Sequence, residues 1–357
     1  MDRLTSPKKR TSILAMHPGA LGDVIIFGHL LSALDGRVTL VADREKAQLL
    51  AGVRIGVPAA KNAALRSGAS LGSASYGGAP LVATTLDFNA LPIHEVFADT
   101  PVDQCRLAKL LGRHDRLISC LGGGNPLGEL RLAAMCQARD AVFLPVRPAE
   151  GFGGHLLDLW TDLLGLSPLA PGPAPWNVPR SWLQRGGECL EAAGLNPQRP
   201  YVVIHPGAGS PAKCWPVERF VELARLILRM RQAHNGGCGI VFVLGPVEQD
   251  RWPAEKVEGI RRGFPALVGP SLADLAGALK PAAAFVGNDS GVAHLAAAVG
   301  TPTVALFGPG DPKHFCPRGT AVTTICAARM LDVAPGRVLR VLEALLGHAR
   351  KRSGSTW

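Results

Sequence analysis

Apolar, β-rich runs alternate with helix-period runs along nearly the whole chain. That alternation builds βαβ units, in which parallel strands are buried under helices on both faces, and it sets the fold class as α/β. Strands are expected at Ser12–Met16, Arg37–Ala42, Pro80–Thr84, Asp115–Cys120 and Ala141–Leu144 in the first half. In the second half they are expected at Tyr201–His205, Gly239–Leu244, Ala266–Val268, Ala282–Val286 and Thr303–Phe307, with helices at Val217–Arg231 and Gly291–Val299 among those between them. The two halves share one layout, and 357 residues is a length for roughly two domains. Between them, Ser167–Arg180 carries Pro168, Pro171, Pro173, Pro175 and Pro179, which remove backbone donors and forbid helix, so the segment reads as an extended linker. The expected units are 1–175 and 176–335, followed by 336–357, a helix over Gly336–Ala349 with a loose basic tail. The Ala/Ser/Gly-rich stretch 61–78 has too weak a period to assign.

Composition removes several classes. With 47% apolar and 18% charged residues the chain is no disordered protein. Its eight cysteines contain no C-x-x-C pair and form no close Cys/His quartet, so neither a disulfide framework nor a structural zinc site is encoded. No run of eighteen apolar residues occurs, and the apolar run after the basic start is too short for a signal peptide; a cytoplasmic protein is expected. A formal charge of +10 favours anionic partners: nucleic acid, nucleotides, phosphorylated sugars or an anionic membrane face.

Chemistry collects where parallel strands end, because loops converge there and helix N-termini present free N–H groups. In the second half every expected strand runs into a short Gly-containing loop: 205–213, 245–250, 269–271, 287–291 and 308–312. Such a rim suits a diphosphate. Lys213 sits where its ammonium meets a phosphate, or else is a solvated surface lysine, and Ser210 adds a hydroxyl to the same turn. Ser290 is a helix N-cap candidate, with Gly300 closing the helix. Asp289 and Glu248 are candidates for a ribose hydroxyl; His294, on an Ala-rich helix, is either packed or a ligand contact. No Walker A loop is present.

In the first half the turn HPGALGDV carries Gly19, Gly22 and Asp23. It lacks the middle glycine of a dinucleotide fingerprint, and a carboxylate beside the last glycine repels a pyrophosphate, although Asp43 stands about where a ribose-binding acid would. Asp23 is then a helix cap or a general base facing a cleft. The loop with Gly123 and Asn125 is a candidate acceptor contact. No D-x-D triplet occurs, so protein donors rather than a carboxylate-held metal would steady a leaving diphosphate.

Three segments, GALGDVI at 19–25, VVIHPGAGSPAKCWPVERF at 202–220 and VGNDSGVAHLAAAVGTPTVALFGPGDP at 286–312, resemble glycosyltransferase family 9, the ADP-heptose:lipopolysaccharide heptosyltransferases and their relatives; HLLDLWTDLLGL at 155–166 also looks like that family's helix before the linker. The resemblance implies a GT-B fold, two Rossmann-like domains facing a cleft, an N-terminal acceptor side and a C-terminal nucleotide-sugar side. It implies an inverting, metal-independent transfer without a cofactor. By position it makes Asp23 the catalytic base and gives Lys213, Ser210, Asp289, Ser290, Gly291, His294 and Glu248 to the donor, with Gly19, Gly22, Gly123 and Asn125 on the acceptor side. The implied partners are ADP-heptose, a lipopolysaccharide-core glycolipid and the anionic inner face of the cytoplasmic membrane, with no nucleic acid. Departures from the family pattern, LISCLGGGNPLG at 117–128 and the 61–78 stretch, both lie on the acceptor side. The alternatives are a non-catalytic nucleotide-sugar-binding relative and an NAD-dependent oxidoreductase.

Overall fold

The computed structural model describes residues 10–55, 80–233, 238–308 and 312–353. The 61–78 stretch, the first nine residues, 309–311 of the last rim loop and the end of the tail lie outside them.

Two all-parallel sheets carry the chain. The first comprises β1 (Ser12–Met16), β2 (Arg37–Ala42), β3 (Thr84–Asp87), β4 (Arg116–Ser119) and β5 (Asp140–Phe143), in the order β3-β2-β1-β4-β5. The second comprises β6 (Tyr201–His205), β7 (Gly239–Leu244), β8 (Ala266–Val268), β9 (Ala284–Asn288), β10 (Thr303–Phe307) and β11 (Val322–Cys326), in the order β11-β10-β9-β6-β7-β8. In both, the strand order reverses beside the first strand, at β1/β4 and β6/β9, the point at whose carboxyl side open α/β sheets bind ligands.

The central strands read as continuous apolar runs because they are buried on both faces. Successive side chains part to opposite sides: Ile13 and Ala15 join one core, Leu14 and Met16 another; Val203 joins the first, Val202 and Ile204 a third. The shared core spans both halves, and on it lie α1 (Leu21–Leu31) and α2 (Arg44–Gly52) from the first half and α10 (Leu272–Leu279) and α11 (Gly291–Val299) from the second. Helices α3 (Arg106–Leu111) and α4 (Pro126–Met135) cover the outer face of the first sheet, and α7 (Val217–Ala233) and α13 (Pro335–Ser353) that of the second. Helices α5 (Leu156–Leu163) and α6 (Arg180–Ala192) flank the proline-rich segment. Between β7 and β8 run α8 (Pro246–Arg251) and α9 (Ala254–Gly263), and α12 (Pro312–Phe315) follows β10.

The proline-rich segment is extended and tightly held. The Trp176 N–H donates to the Ala298 carbonyl at 2.8 Å, Asn177 bridges to Arg54, and Lys280 Nζ donates to the Trp176 carbonyl at 3.2 Å. Its indole is fully buried, and an indole of roughly 200 Å² contributes about 5 kcal/mol on burial.

Several expectations shift. β3 begins at Thr84, where the run from Pro80 was expected to end, and β9 lies two residues further on than read. β11 was not anticipated. The tail begins as helix, since α13 continues to Ser353. No helix among the described residues is long and apolar enough to cross a membrane.

Candidate active site

On the first sheet, β1 runs into the turn that starts α1. Ala20 is the N-cap and has no side chain to cap with. Asp23, three residues on, lies in the first turn of α1, where an acidic side chain suits the helix N-terminus. Asp23 is therefore the third residue of α1 and not its N-cap. Its carboxyl lies against Gly19, where an added Cβ would stand 3.3 Å from Oδ2. Burial raises its pKa above the ordinary aspartate value, the Ala20 N–H opposes this, Asp289 raises it further, and Lys213 and Arg147 pull it back. A carboxylate so raised accepts a proton more readily than a solvated one.

On the second sheet, the loop after β6 brings Lys213 to Asp289 at the end of β9, Nζ to Oδ2 at 2.5 Å. Both loops leave the switch point, and Asn288 ties them again by accepting the Trp215 N–H at 2.9 Å and donating to the Pro206 carbonyl at 2.7 Å. Ser290 caps α11 by accepting the Ala293 N–H at 3.4 Å, and Gly300 ends it with φ +93°. Ser210 starts the single 3-10 turn Pro211–Lys213 and makes no side-chain cap bond. Glu248 is 2% exposed; its Oε2 accepts the Gly245 N–H at 2.7 Å, and its carboxyl occupies the space where any Cβ on Gly207 would go. Gly207 is therefore glycine so that the turn can lie on that carboxylate.

The halves meet at these same residues. A Cβ on Gly291 would lie 2.6 Å from Leu21 Cβ and 3.1 Å from the Gly22 nitrogen, and one on Gly22 would lie 3.0 Å from His294 Cδ2. The N-terminal ends of α1 and α11 thus touch, with Asp23 in the first turn of one and Asp289 just before the other, where helix N-termini favour negative charge. His294 is 5% exposed; burial, with Lys213 nearby, lowers its pKa to about 4, so the ring is neutral. Asn125 caps α4 by accepting the Gly128 N–H at 3.0 Å, and Gly123 is exposed beside it.

Of the residues singled out in the sequence, Asp23, Lys213, Asp289, Ser290, Gly22, Gly291 and His294 therefore gather at one seam. Glu248 and His294 stand behind its surface. Sequence reasoning missed Arg147 and Cys120, both of which act electrostatically with Asp23. Each lies at the carboxyl end of a strand, Cys120 next to β4 and Arg147 beyond β5, and that position was the available signal. Among the described residues no group of three or more His, Cys, Asp or Glu is placed to hold a metal ion.

Residues 173–333 match the model of Glycosyltransferase family 9 (heptosyltransferase). Over this stretch the chain is similar to glycosyltransferase family 9. Lipopolysaccharide heptosyltransferase 2 of Escherichia coli (strain K12) is 31% identical over 181 residues, covering 43% of this chain and 48% of the relative. The chain spans about half the length of the curated relatives it matches. The fold likeness reaches further. The family 9 glycosyl transferase of Veillonella parvula DSM 2008 superposes with TM-score 0.70 at 18% identity, covering 95% of this chain and 98% of that one. The E. coli ADP-heptose lps heptosyltransferase II gives 0.64 at 19% identity, over 95% and 99%. The two-sheet architecture is accordingly the GT-B fold, as the family resemblance implied.

Proposed function

We propose that the cleft between the two sheets transfers a sugar, heptose from ADP-heptose, to a lipopolysaccharide-core type glycolipid. The observation that carries this reading is the meeting of Asp23 from one half with the Lys213–Asp289 pair from the other. In the reaction the acceptor hydroxyl gives its proton to the Asp23 carboxylate while its oxygen bonds to the anomeric carbon. The bond from that carbon to the diphosphate oxygen breaks, and its electron pair leaves with ADP. One displacement inverts the anomeric centre.

Charge on the departing diphosphate falls to Lys213, oriented in advance by Asp289, and to the backbone donors from Gly207 to Ser210 and at the start of α11, where Ser290 and Gly291 lie. No metal is assigned a part. Glu248 shapes the donor turn from behind Gly207, and His294 backs it at the seam. Gly19 and Gly22 flank Asp23 on the acceptor side, packed against His17 and His294, with Gly123 and Asn125 on the loop after β4. A chain of formal charge +10 also suits peripheral contact with an anionic membrane surface bearing such an acceptor.

The test is turnover of ADP-heptose with a heptose-deficient lipopolysaccharide core as acceptor. Wild-type release of ADP and loss of it in Asp23→Asn are expected, with ADP binding retained in both. Normal turnover by Asp23→Asn would remove the base from the reading. A thermal shift larger with ADP than with UDP or GDP is expected for the donor, since ligand bound only to the folded state raises its apparent stability.

A further inference from the structure

Behind Asp23 stands a histidine that the transfer chemistry leaves unused. His17, the first residue after β1, is 1% exposed and lies between Phe27 and Trp160, with ring centroids 5.2 and 5.9 Å away. Its Nδ1 accepts the Gly19 N–H at 3.0 Å, so the neutral ring carries its proton on Nε2, which is buried with no hydrogen-bond partner. Burial, with Lys46 nearby, lowers the pKa to about 4, which keeps the ring neutral at physiological pH. An orphaned buried N–H is unfavourable, and leucine or phenylalanine would fill the same space without one. What imidazole adds there is the acceptor at Nδ1. On the far side of the same residue, Lys46 Nζ donates to the Gly19 carbonyl at 3.0 Å. Both polar groups of Gly19 are therefore held, one from the end of β1 and one from α2. A Cβ on Gly19 would fall 2.5 Å from His17 Cε1 and 3.3 Å from Asp23 Oδ2, so this glycine is the spacer between imidazole and carboxylate.

We propose that His17 is a positioning residue for Asp23: by accepting the Gly19 N–H it fixes the turn on which the Asp23 carboxylate rests, and so its aim at the reacting hydroxyl. The inference rests on reading Asp23 as the base. The charged groups that set the Asp23 titration from the surrounding elements are Asp289, Lys213 and Arg147, and none of them is altered by a change at position 17.

Steady-state ADP release from ADP-heptose with the heptose-deficient core tests it across pH. His17→Phe keeps a ring and removes the acceptor; His17→Asn returns an oxygen near the Nδ1 position. His17→Phe is expected to lower kcat about tenfold to a hundredfold, as a displaced catalytic group does, with the donor KM within about twofold. Its acid limb in kcat/KM should move to lower pH, because a carboxylate released from its buried seat is better hydrated. His17→Asn should recover most of both. Wild-type kcat and acid limb in His17→Phe, or equal impairment in His17→Asn, would overturn the proposal. If circular dichroism shows His17→Phe unfolded, Lys46→Met, which frees the other side of Gly19, decides on the same limb: a downward move supports the clamp and an unchanged limb refutes it. Asp23→Asn run in parallel separates the two failures. Activity retained there sinks the base itself, whereas an inactive Asp23→Asn beside a normal His17→Phe sinks only the role of His17.

Discussion

The two sheets share a strand order through five strands and differ at their carboxyl ends. The second presents a charged pair, Lys213 with Asp289, held between two loops whose backbones Asn288 ties together. At its switch point the first presents one carboxylate, Asp23, in the first turn of α1 and outside every salt bridge found among the described residues. One architecture built twice thus yields one switch point with a paired lysine and aspartate and one with an unpaired aspartate. A fold shared by both halves leaves the chemistry to what each grafts onto the switch point.

The sharpest way to break that comparison is to remove the unpaired carboxylate. Asp23→Asn is expected to cut turnover about 10²- to 10⁴-fold, the range of a general base, while ADP affinity measured by calorimetry stays put. In the wild type, activity needs Asp23 ionised, and its pKa is raised by burial and by Asp289. Activity should therefore fall on acidification at a pH above that for a solvated aspartate, and a limb at the solvated value would show that Asp23 is not the titrating group. Lys213→Ala attacks the opposite rim. It should weaken ADP binding about tenfold or more, and it leaves Asp289 unpaired beside Asp23, so the acid limb should move to higher pH. An unchanged ADP affinity would place the diphosphate elsewhere.

A stability change tests whether the rims are held together by close backbone approach. Gly291→Ala places a methyl 2.6 Å from Leu21 Cβ, against helix rather than against a flexible chain end. The expected cost is about 2–3 kcal/mol, read from urea unfolding. A loss under about half a kcal/mol would mean that α1 and α11 part easily at this crossing.

How much of this was legible depended on where each element lies. β6, β7 and β10 were read to the residue because both their faces are buried and their apolar runs are unbroken. β3 and β11, TTLD and VTTIC, are edge strands, only partly buried, and carry no such run; the neighbouring PLVAT drew the expectation for β3 upstream. Residue types named the two rims, since Gly-rich loops after buried strands are a local signal. The pairing of Lys213 with Asp289, the fit of Gly207 over Glu248 and the approach of Arg147 to Asp23 span from 41 to 124 positions of chain, as 248 − 207 and 147 − 23 give, and no local pattern encodes them. His17 escaped notice for another reason: a lone histidine after a strand is ordinary until its partner N–H is seen.

The seam between the halves carries the smallest expected effect, and it depends on pH. His29 on α1 is 2% exposed, tilts against Trp176 at 5.1 Å between ring centroids, and has no hydrogen-bond partner at Nε2. Burial lowers its pKa from 6.5 to about 3, with His294, His155 and Arg318 adding to the effect. Between those values the unfolded chain binds a proton that the folded chain excludes, so the folded state is favoured at neutral pH and loses that advantage as pH falls below 6.5. At 1.36 kcal/mol per pH unit, acidification from about pH 6.5 to about pH 5 withdraws up to about 2 kcal/mol through this one group. His29→Leu, which removes the proton site and keeps an apolar side chain beside Trp176, should flatten the decline of the urea midpoint over that interval by about that amount. If wild type and variant decline in parallel, the acid sensitivity of the fold belongs to His17, His155 and His294, whose pKa values are lowered to about 4 by the same burial, and α1 is not its weak point.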